Sequence, residues 1–116
     1  PYISEVIKFC ESINRPLWIT EFGCDSKPPS WMHIDGSKYG MTDEQAQGRL
    51  LVETYKAYFT AGVERCYSFM AADEPGSNGG LWQTSGILRN KSNNWQEKPA
   101  WYAMKNYVNS LKTNKK

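Results

Sequence analysis

The sequence predicts an α/β fold built on a parallel sheet, and three observations support this. Helical and strand-like patterns alternate along the 116 residues in the order helix, strand, helix, strand, helix. The strand-like segments are short and apolar nearly throughout, which is typical of parallel strands covered on both faces. Hydrophobic residues make up 40% of the chain and charged residues 22%, an ordinary globular balance. Residues 1–116 are therefore predicted to form a single segment of one domain.

Composition excludes several classes of partner. The net charge of +2, from 14 Lys and Arg against 12 Asp and Glu, gives no reason to expect nucleic acid. No apolar run approaches the roughly 20 residues of a membrane span, so no membrane partner is predicted. Cys10, Cys24 and Cys66 lack ligand spacing, so no metal or other cofactor is predicted, and at most one pair can be bridged. The aromatic share of 14%, with five Trp and seven Tyr, indicates a surface that stacks on flat ligands such as sugar rings.

The first helix is predicted from Tyr2 to about Ile13, where Asn14 and Pro16 end it. Its apolar positions step by three and four and form one stripe: Ile3, Val6, Ile7, Cys10 and Ile13. Cys10 is expected to be a small buried apolar residue of that stripe.

A strand is predicted over residues 17–22, Leu-Trp-Ile-Thr-Glu-Phe, and its one charge is Glu21 at the C-terminal end. In parallel α/β folds the working residues lie at such strand ends and on the loops that follow them. The residue pattern leaves two interpretations of Glu21 open. It is a nucleophile or acid/base group in a partly desolvated opening, or a buried glutamate paired with an arginine. The loop 23–41 that follows is long for a compact domain, and such loops are usually functional.

The second helix is predicted to start at a capping box formed by Thr42 and Gln45. It runs to about Ala61, and Gly62 is placed for a left-handed C-cap. Its expected buried side chains are Leu50, Leu51, Tyr55, Tyr58 and Phe59.

A second strand is predicted over 65–70, followed by a loop over 71–94 with a short hairpin around 81–88. Pro99 opens the last helix. Its apolar stripe is Trp101, Met104, Val108 and Leu111. Two parallel strands leave both sheet edges open and cover little of each helix, so the fold is expected to need more strands.

The segment 15–23, Arg-Pro-Leu-Trp-Ile-Thr-Glu-Phe-Gly, resembles the seventh strand of the retaining (β/α)8-barrel glycoside hydrolases of clan A. This group contains many cellulases, mannanases and xylosidases. The resemblance continues in order through 47–63 as the seventh helix, 64–69 as the eighth strand, Gly-Leu-Trp at 80–82, and 98–103 opening the final helix. It implies a partial TIM (β/α)8 barrel that extends from the sixth helix through the eighth helix.

The resemblance implies a secreted hydrolase of β-linked poly- or oligosaccharides that works by retaining double displacement, with Glu21 as nucleophile. The acid/base glutamate of this clan follows an Asn near the end of the fourth strand, which lies outside the matched segments. The chain alone is therefore expected to be inactive, and its expected partners are carbohydrate and the remainder of the barrel. That remainder is N-terminal in the same protein or on another chain.

Several further residues are candidates for binding the sugar. Trp31, Tyr39 and Trp82 lie on the two long loops, where they stack on a pyranose or act as lids over a helix. The clan's platform tryptophan matches Ser68, or Phe69 or Tyr67 if the register differs by one residue.

The Asp-Glu-Pro at 73–75 looks like the clan's Asn-Glu-Pro but follows the eighth strand, so a solvated turn is expected there. If Glu74 acts, it hydrogen-bonds sugar hydroxyls. His33 and Cys24 are expected to be bystanders, since neither has an identifiable catalytic partner. The alternative function is a non-catalytic carbohydrate-binding or structural module derived from a glycosidase barrel.

Overall fold

A computed structural model of the chain describes residues 2–27, 35–76 and 80–113. It contains helices and parallel strands, which confirms the α/β class. The elements in chain order are α1 (Tyr2–Ser12), β1 (Trp18–Phe22), α2 (Asp43–Ala61), β2 (Arg65–Ser68) and α3 (Pro99–Thr113). Short 3-10 turns lie at Gly36–Tyr39 and Lys91–Asn93.

The sheet described by the structure consists of β1 and β2, paired in parallel. Ile19 lies opposite Cys66, and Phe22 lies opposite Ser68, with an irregularity in the register between these pairs. The N–H of Phe69 continues the ladder by donating to the Phe22 carbonyl at 2.7 Å. Because the strands are parallel, their C-terminal ends lie at the same edge of the sheet.

The core lies between one face of this sheet and helices α1 and α2. Its buried centre is Ile7, Val63 and Cys66. The partly buried side chains packed around it are Ile3, Leu17, Ile19, Phe22, Tyr55, Tyr58 and Ala61. The Phe22 ring meets Tyr55 and Tyr58 edge to face, with centroid distances of 4.7 and 5.3 Å. These contacts join the end of β1 to the middle of α2.

The prediction that both strand faces are covered is wrong for the residues that the structure describes. Trp18 and Tyr67 are each 49% exposed, and the Arg65 guanidinium lies 4.8 Å from the centre of the Trp18 ring. Cys10 is half-buried rather than buried. Several apolar residues that the sequence predicts on the buried faces of the helices are instead exposed: Val6, Ile13, Leu50, Phe59, Trp101, Val108 and Leu111. The physical reason is that a sheet of two strands is too narrow to cover three helices.

The predicted helix ends are confirmed. Asn14 adopts a left-handed conformation, with φ of 52°, just after α1 ends. Thr42 and Gln45 form both bonds of the capping box, at 3.2 and 2.8 Å. Gly62 is the C-cap of α2 and adopts the left-handed conformation, with φ of 104°.

The predicted hairpin over 81–88 is wrong. Residues 81–84 form turns, and Leu88 instead makes isolated bridges with Ala72 and Glu97. This segment lies so close to 72–73 that a Cβ at Gly86 would overlap their backbone. The loop after β2 therefore returns to lie against its own start, over the C-terminal edge of the sheet.

Candidate functional site

Glu21 is the penultimate residue of β1, and its side chain is exposed. Glu21 is not buried. Within residues 2–27, 35–76 and 80–113 it pairs with no arginine, and its carboxylate accepts no hydrogen bond. The carboxylate is thus accessible at the C-terminal edge of the sheet.

Two predicted sugar-binding aromatics lie together at the same edge. The rings of Phe69 and Trp82 meet edge to face, with centroids 6.0 Å apart. A Cβ built on Gly23 would lie 3.6 Å from Cζ3 of Trp82 and would overlap the Phe69 carbonyl oxygen. Only glycine therefore fits between the strand ends, and the Trp82 indole lies against a position two residues after Glu21. We call Gly23, Phe69 and Trp82 the aromatic corner.

A buried carboxylate holds the backbone that carries Trp82. Asp25, on the loop after β1, is only 4% exposed. Its Oδ2 accepts the Trp82 N–H at 2.7 Å, and its Oδ1 accepts the Thr84 N–H at 2.8 Å. Oδ1 also accepts the Thr84 hydroxyl at 3.1 Å, and it lies 3.2 Å from the Ser85 hydroxyl, which is closer to the Trp82 carbonyl at 2.8 Å. The loop after β1 is thereby tied to the loop after β2.

A buried ion pair reinforces this tie. Lys98, just before α3, is fully buried, and its Nζ lies 3.1 Å from Oδ1 of Asp73. The same Nζ donates to the Ser26 hydroxyl at 3.1 Å and to the Thr84 carbonyl at 3.0 Å. Burial lowers the pKa of Lys98 and raises the pKa of Asp73, and the charge of each partner opposes the shift of the other.

The expectation of a solvated turn at 73–75 is confirmed for Glu74 and Pro75, which are exposed. It is wrong for Asp73, because the Lys98 ammonium and the Gly86 N–H draw its carboxylate inward. The carboxylate of Glu74 lies at the surface, while its backbone N–H donates to the Gln83 carbonyl at 3.0 Å.

Gln47 joins the same loops from the first turns of α2. Its side chain is fully buried, and Nε2 lies within hydrogen-bonding distance of three carbonyls: Cys24 and Thr84 at 3.0 Å and Gly86 at 3.3 Å. The sequence does not identify Gln47 and Lys98 as site residues. Neither the helical pattern around Gln47 nor the position of Lys98 before α3 shows that their partners lie on loops distant in sequence.

The structure supports a bystander role for Cys24. Burial, with the charge of Asp25 adding to it, raises the pKa of the Cys24 thiol to about 11. A thiol of that pKa is protonated at neutral pH, and the thiolate is the nucleophilic form. Cys10, Cys24 and Cys66 are all free.

Tyr39 lies in a different place from the aromatic corner. It is exposed, with the Arg49 guanidinium 5.8 Å from its ring centre. Both line an open pocket of about 380 Å³ between the 3-10 turn and α2, and that pocket shares no lining residue with the aromatic corner. The predictions for Trp31 and His33 lie outside the described residues.

Comparison of the chain with protein-family models, with curated proteins and with solved structures finds no match. Among the described residues, no group of three or more His, Cys, Asp or Glu side chains is arranged to hold a metal ion. None of the helices described by the structure is long and apolar enough to cross a bilayer.

Proposed function

We propose that this chain is part of the catalytic domain of a retaining glycoside hydrolase, with Glu21 as the nucleophile. The observation that carries the proposal is an exposed carboxylate at the C-terminal end of a parallel strand, with the Phe69 and Trp82 rings at the same sheet edge. The resemblance of residues 15–23 to the nucleophile strand of the clan supports it. The substrate is a β-linked poly- or oligosaccharide, and because polysaccharides are too large to enter cells, the enzyme is secreted.

The proposal includes a (β/α)8 barrel. The parallel pair has its helices against one face, and the opposite face is uncovered within the described residues, where Trp18 and Tyr67 are half exposed. Further parallel strands beside β1 and β2 would cover that face and place the Glu21 end at the top of a barrel.

The reaction proceeds by two displacements. The Glu21 carboxylate attacks the anomeric carbon and forms a glycosyl ester, while the glycosidic bond breaks and a second carboxyl group protonates the departing oxygen. That group, now a base, removes a proton from water, and the water oxygen attacks the anomeric carbon and releases Glu21. In this geometry the carboxyl groups lie about 5 to 5.5 Å apart, and we assign the second one to another strand of the barrel.

The aromatic corner supplies the binding surface for the sugar. The indole of Trp82 is large and flat, 39% exposed, and held against Gly23 next to the strand end. Such a ring stacks on the apolar C–H face of a pyranose and excludes water from the reacting bond. Phe69 supports the indole edge to face and fixes its tilt.

The test compares Glu21→Gln with Glu64→Gln in the full-length protein, using β-linked oligosaccharides as substrates. Glu64 is an exposed carboxylate just before β2, at the opposite end of the sheet. Loss of the nucleophile is expected to lower kcat by orders of magnitude, whereas the Glu64 variant keeps wild-type turnover. A Glu21→Ala variant is expected to regain turnover with added azide, which attacks the anomeric carbon from the vacated side. Full activity of Glu21→Gln contradicts the proposal.

The second candidate is a carbohydrate-binding module without catalysis. It is favoured by the aromatic corner itself, because the exposed Trp82 indole can stack on a sugar without any contribution from Glu21. Binding of soluble β-glycan by the full-length protein, with no release of reducing ends, supports this candidate over the enzyme.

A further inference from the structure

We propose that Asp25 is a positioning residue for the sugar site. It holds the backbone of residues 82–85 and so fixes the Trp82 indole against Gly23. The inference rests on the proposed function, because it concerns how tightly a sugar is held beside Glu21.

The buried carboxylate of Asp25 is surrounded by donors of a single loop. Within the described residues, it accepts the N–H groups of Trp82 and Thr84 and the hydroxyl of Thr84, and the Ser85 hydroxyl lies 3.2 Å from it. None of these donors is charged, so the loop itself stabilises the buried negative charge. Hydrogen bonds to an ionised acceptor are roughly twice as strong as neutral ones. The charge of Asp25 therefore organises this loop more strongly than a neutral acceptor does.

Trp82 has a strained backbone conformation. Its φ is 69°, in the left-handed region that a non-glycine residue occupies only at a cost in free energy. The bond from its N–H to Oδ2 of Asp25 holds it there. Without this bond Trp82 is free to return to a right-handed or extended conformation, and a change of φ swings the side chain away from Gly23 and Phe69.

The end of the loop that follows Trp82 has attachments that do not involve Asp25. Lys98 donates to the Thr84 carbonyl, and Gln47 reaches the carbonyls of Thr84 and Gly86. Neither contact involves Trp82 or Asp25. Loss of the Asp25 charge therefore removes the bond to the Trp82 N–H, while residues 84–86 stay attached and the Gln83 carbonyl still accepts the Glu74 N–H at 3.0 Å.

The test variant is Asp25→Asn, and the control is Asp73→Asn. Each replaces a carboxylate that accepts a backbone N–H of the same loop, from Trp82 in one case and from Gly86 in the other. The control also leaves the buried Lys98 ammonium without its counter-charge, so it shows whether a loss of stability alone weakens sugar binding. Asn keeps one acceptor oxygen. In Asp25→Asn we expect that oxygen to face the N–H and hydroxyl of Thr84, so the amide NH2 lies against the Trp82 N–H and cannot accept it. Both variants are expected to lose stability, and only Asp25→Asn is expected to lose sugar affinity.

The experiment measures KM and kcat of the full-length protein, and the Kd for β-1,4-linked tetrasaccharides of glucose, mannose and xylose. Asp25→Asn is expected to raise KM and Kd about tenfold, comparable to the loss of one stacked ring. Trp82→Ala is expected to have the same effect. The double variant is expected to be no weaker than Trp82→Ala alone, because both changes remove the same contact.

Three results overturn the inference. One is an unchanged KM and Kd in Asp25→Asn, and another is the same increase in Asp73→Asn, which would mark a general loosening of the fold. The third is a double variant in which the two losses add. If the wild-type protein neither hydrolyses nor binds these sugars, the proposed function fails as well, so the two failures are distinguishable.

Discussion

Replacing Lys98 with Met removes the buried cation while keeping a side chain of similar length. Lys98 is fully buried, and the Asp73 side chain is only 11% exposed, so the change leaves a nearly buried carboxylate without its counter-charge. Breaking such a pair by removing one partner costs about 3–5 kcal/mol. We expect Lys98→Met to lower the free energy of unfolding by about that amount.

We expect most of the lost stability to come from the unpaired Asp73 carboxylate, because the Thr84 carbonyl that the ammonium also contacts keeps other donors. The Thr84 carbonyl keeps donors in the Ser26 N–H at 3.1 Å and in Gln47 Nε2 at 3.0 Å. Asp73 keeps only the Gly86 N–H at 2.9 Å among the bonds that the structure describes. A double variant, Lys98→Met with Asp73→Asn, retains an oxygen to accept that N–H and carries no buried charge. It is expected to recover most of the lost stability.

The loss of stability in Lys98→Met is expected to depend on pH. Burial raises the pKa of the Asp73 carboxyl above its ordinary value of 3.8, and Lys98 opposes that shift. Without Lys98 the pKa rises further. Between 3.8 and the raised value the folded state holds a proton that the unfolded state has released, so stability increases as pH falls through this window. The penalty in Lys98→Met is therefore expected to be smaller at low pH than at pH about 7.

The assay is urea-induced unfolding of the wild-type protein, the single variants and the double variant, at neutral and at acidic pH. A loss of less than about 1 kcal/mol in Lys98→Met would refute the argument, since that is the size expected for an exposed pair. A double variant that is no more stable than Lys98→Met would also refute it.

Three further predictions concern local structure. Thr42→Ala removes the capping-box bond to the Gln45 N–H and is expected to cost about 0.5–2 kcal/mol of stability, measured by thermal unfolding. Gly48→Ala places a Cβ about 2.9 Å from the Ala100 Cα where α2 packs on α3, and a destabilisation of about 1–3 kcal/mol is expected despite the better helix propensity of alanine. Cys24, with its thiol pKa of about 11, is expected to resist iodoacetamide at neutral pH in the folded protein and to react after denaturation, as followed by mass spectrometry.

The features that the sequence predicts correctly are local ones. The capping box at Thr42 and the left-handed C-cap at Gly62 depend on residues within one turn of the helix end. The parallel pairing of β1 and β2 follows from the helix between them, because parallel strands require such a crossover. The position of Glu21 at the C-terminal end of β1 is also predicted from a local pattern, because Glu21 is the one charge of an apolar run. Its role as the nucleophile stays a prediction.

Local patterns do not predict the hydrogen bonds and the ion pair that join Asp25, Asp73 and Lys98 to their partners. Asp25 and Trp82 are 57 positions apart, and Asp73 and Lys98 are 25 apart. Nothing in the local pattern distinguishes these charges from solvated ones, because their partners are set by how the loops meet above the sheet. The sequence accordingly predicts a solvated turn at Asp73.

Side-chain exposure departs from the sequence pattern for a different reason. The stripe of α3 and the apolar run of β1 indicate how much apolar surface each element offers for burial. How much is buried depends on the neighbours that are present, and a sheet of two strands covers only part of it. Trp18 and Leu111 are examples, at 49% and 44% exposed. In the proposed barrel, further strands and helices cover such positions.

The most direct test of the central claim is covalent labelling of the proposed nucleophile. The full-length protein is incubated with 2-deoxy-2-fluoro-β-glycosides that carry a good leaving group, digested, and mapped by peptide mass spectrometry. The fluorine slows the second displacement more than the first, so the glycosyl ester accumulates on the attacking residue. We predict an adduct of one fluoro-sugar on Glu21. An adduct on any other residue would contradict the assignment of Glu21 as the nucleophile.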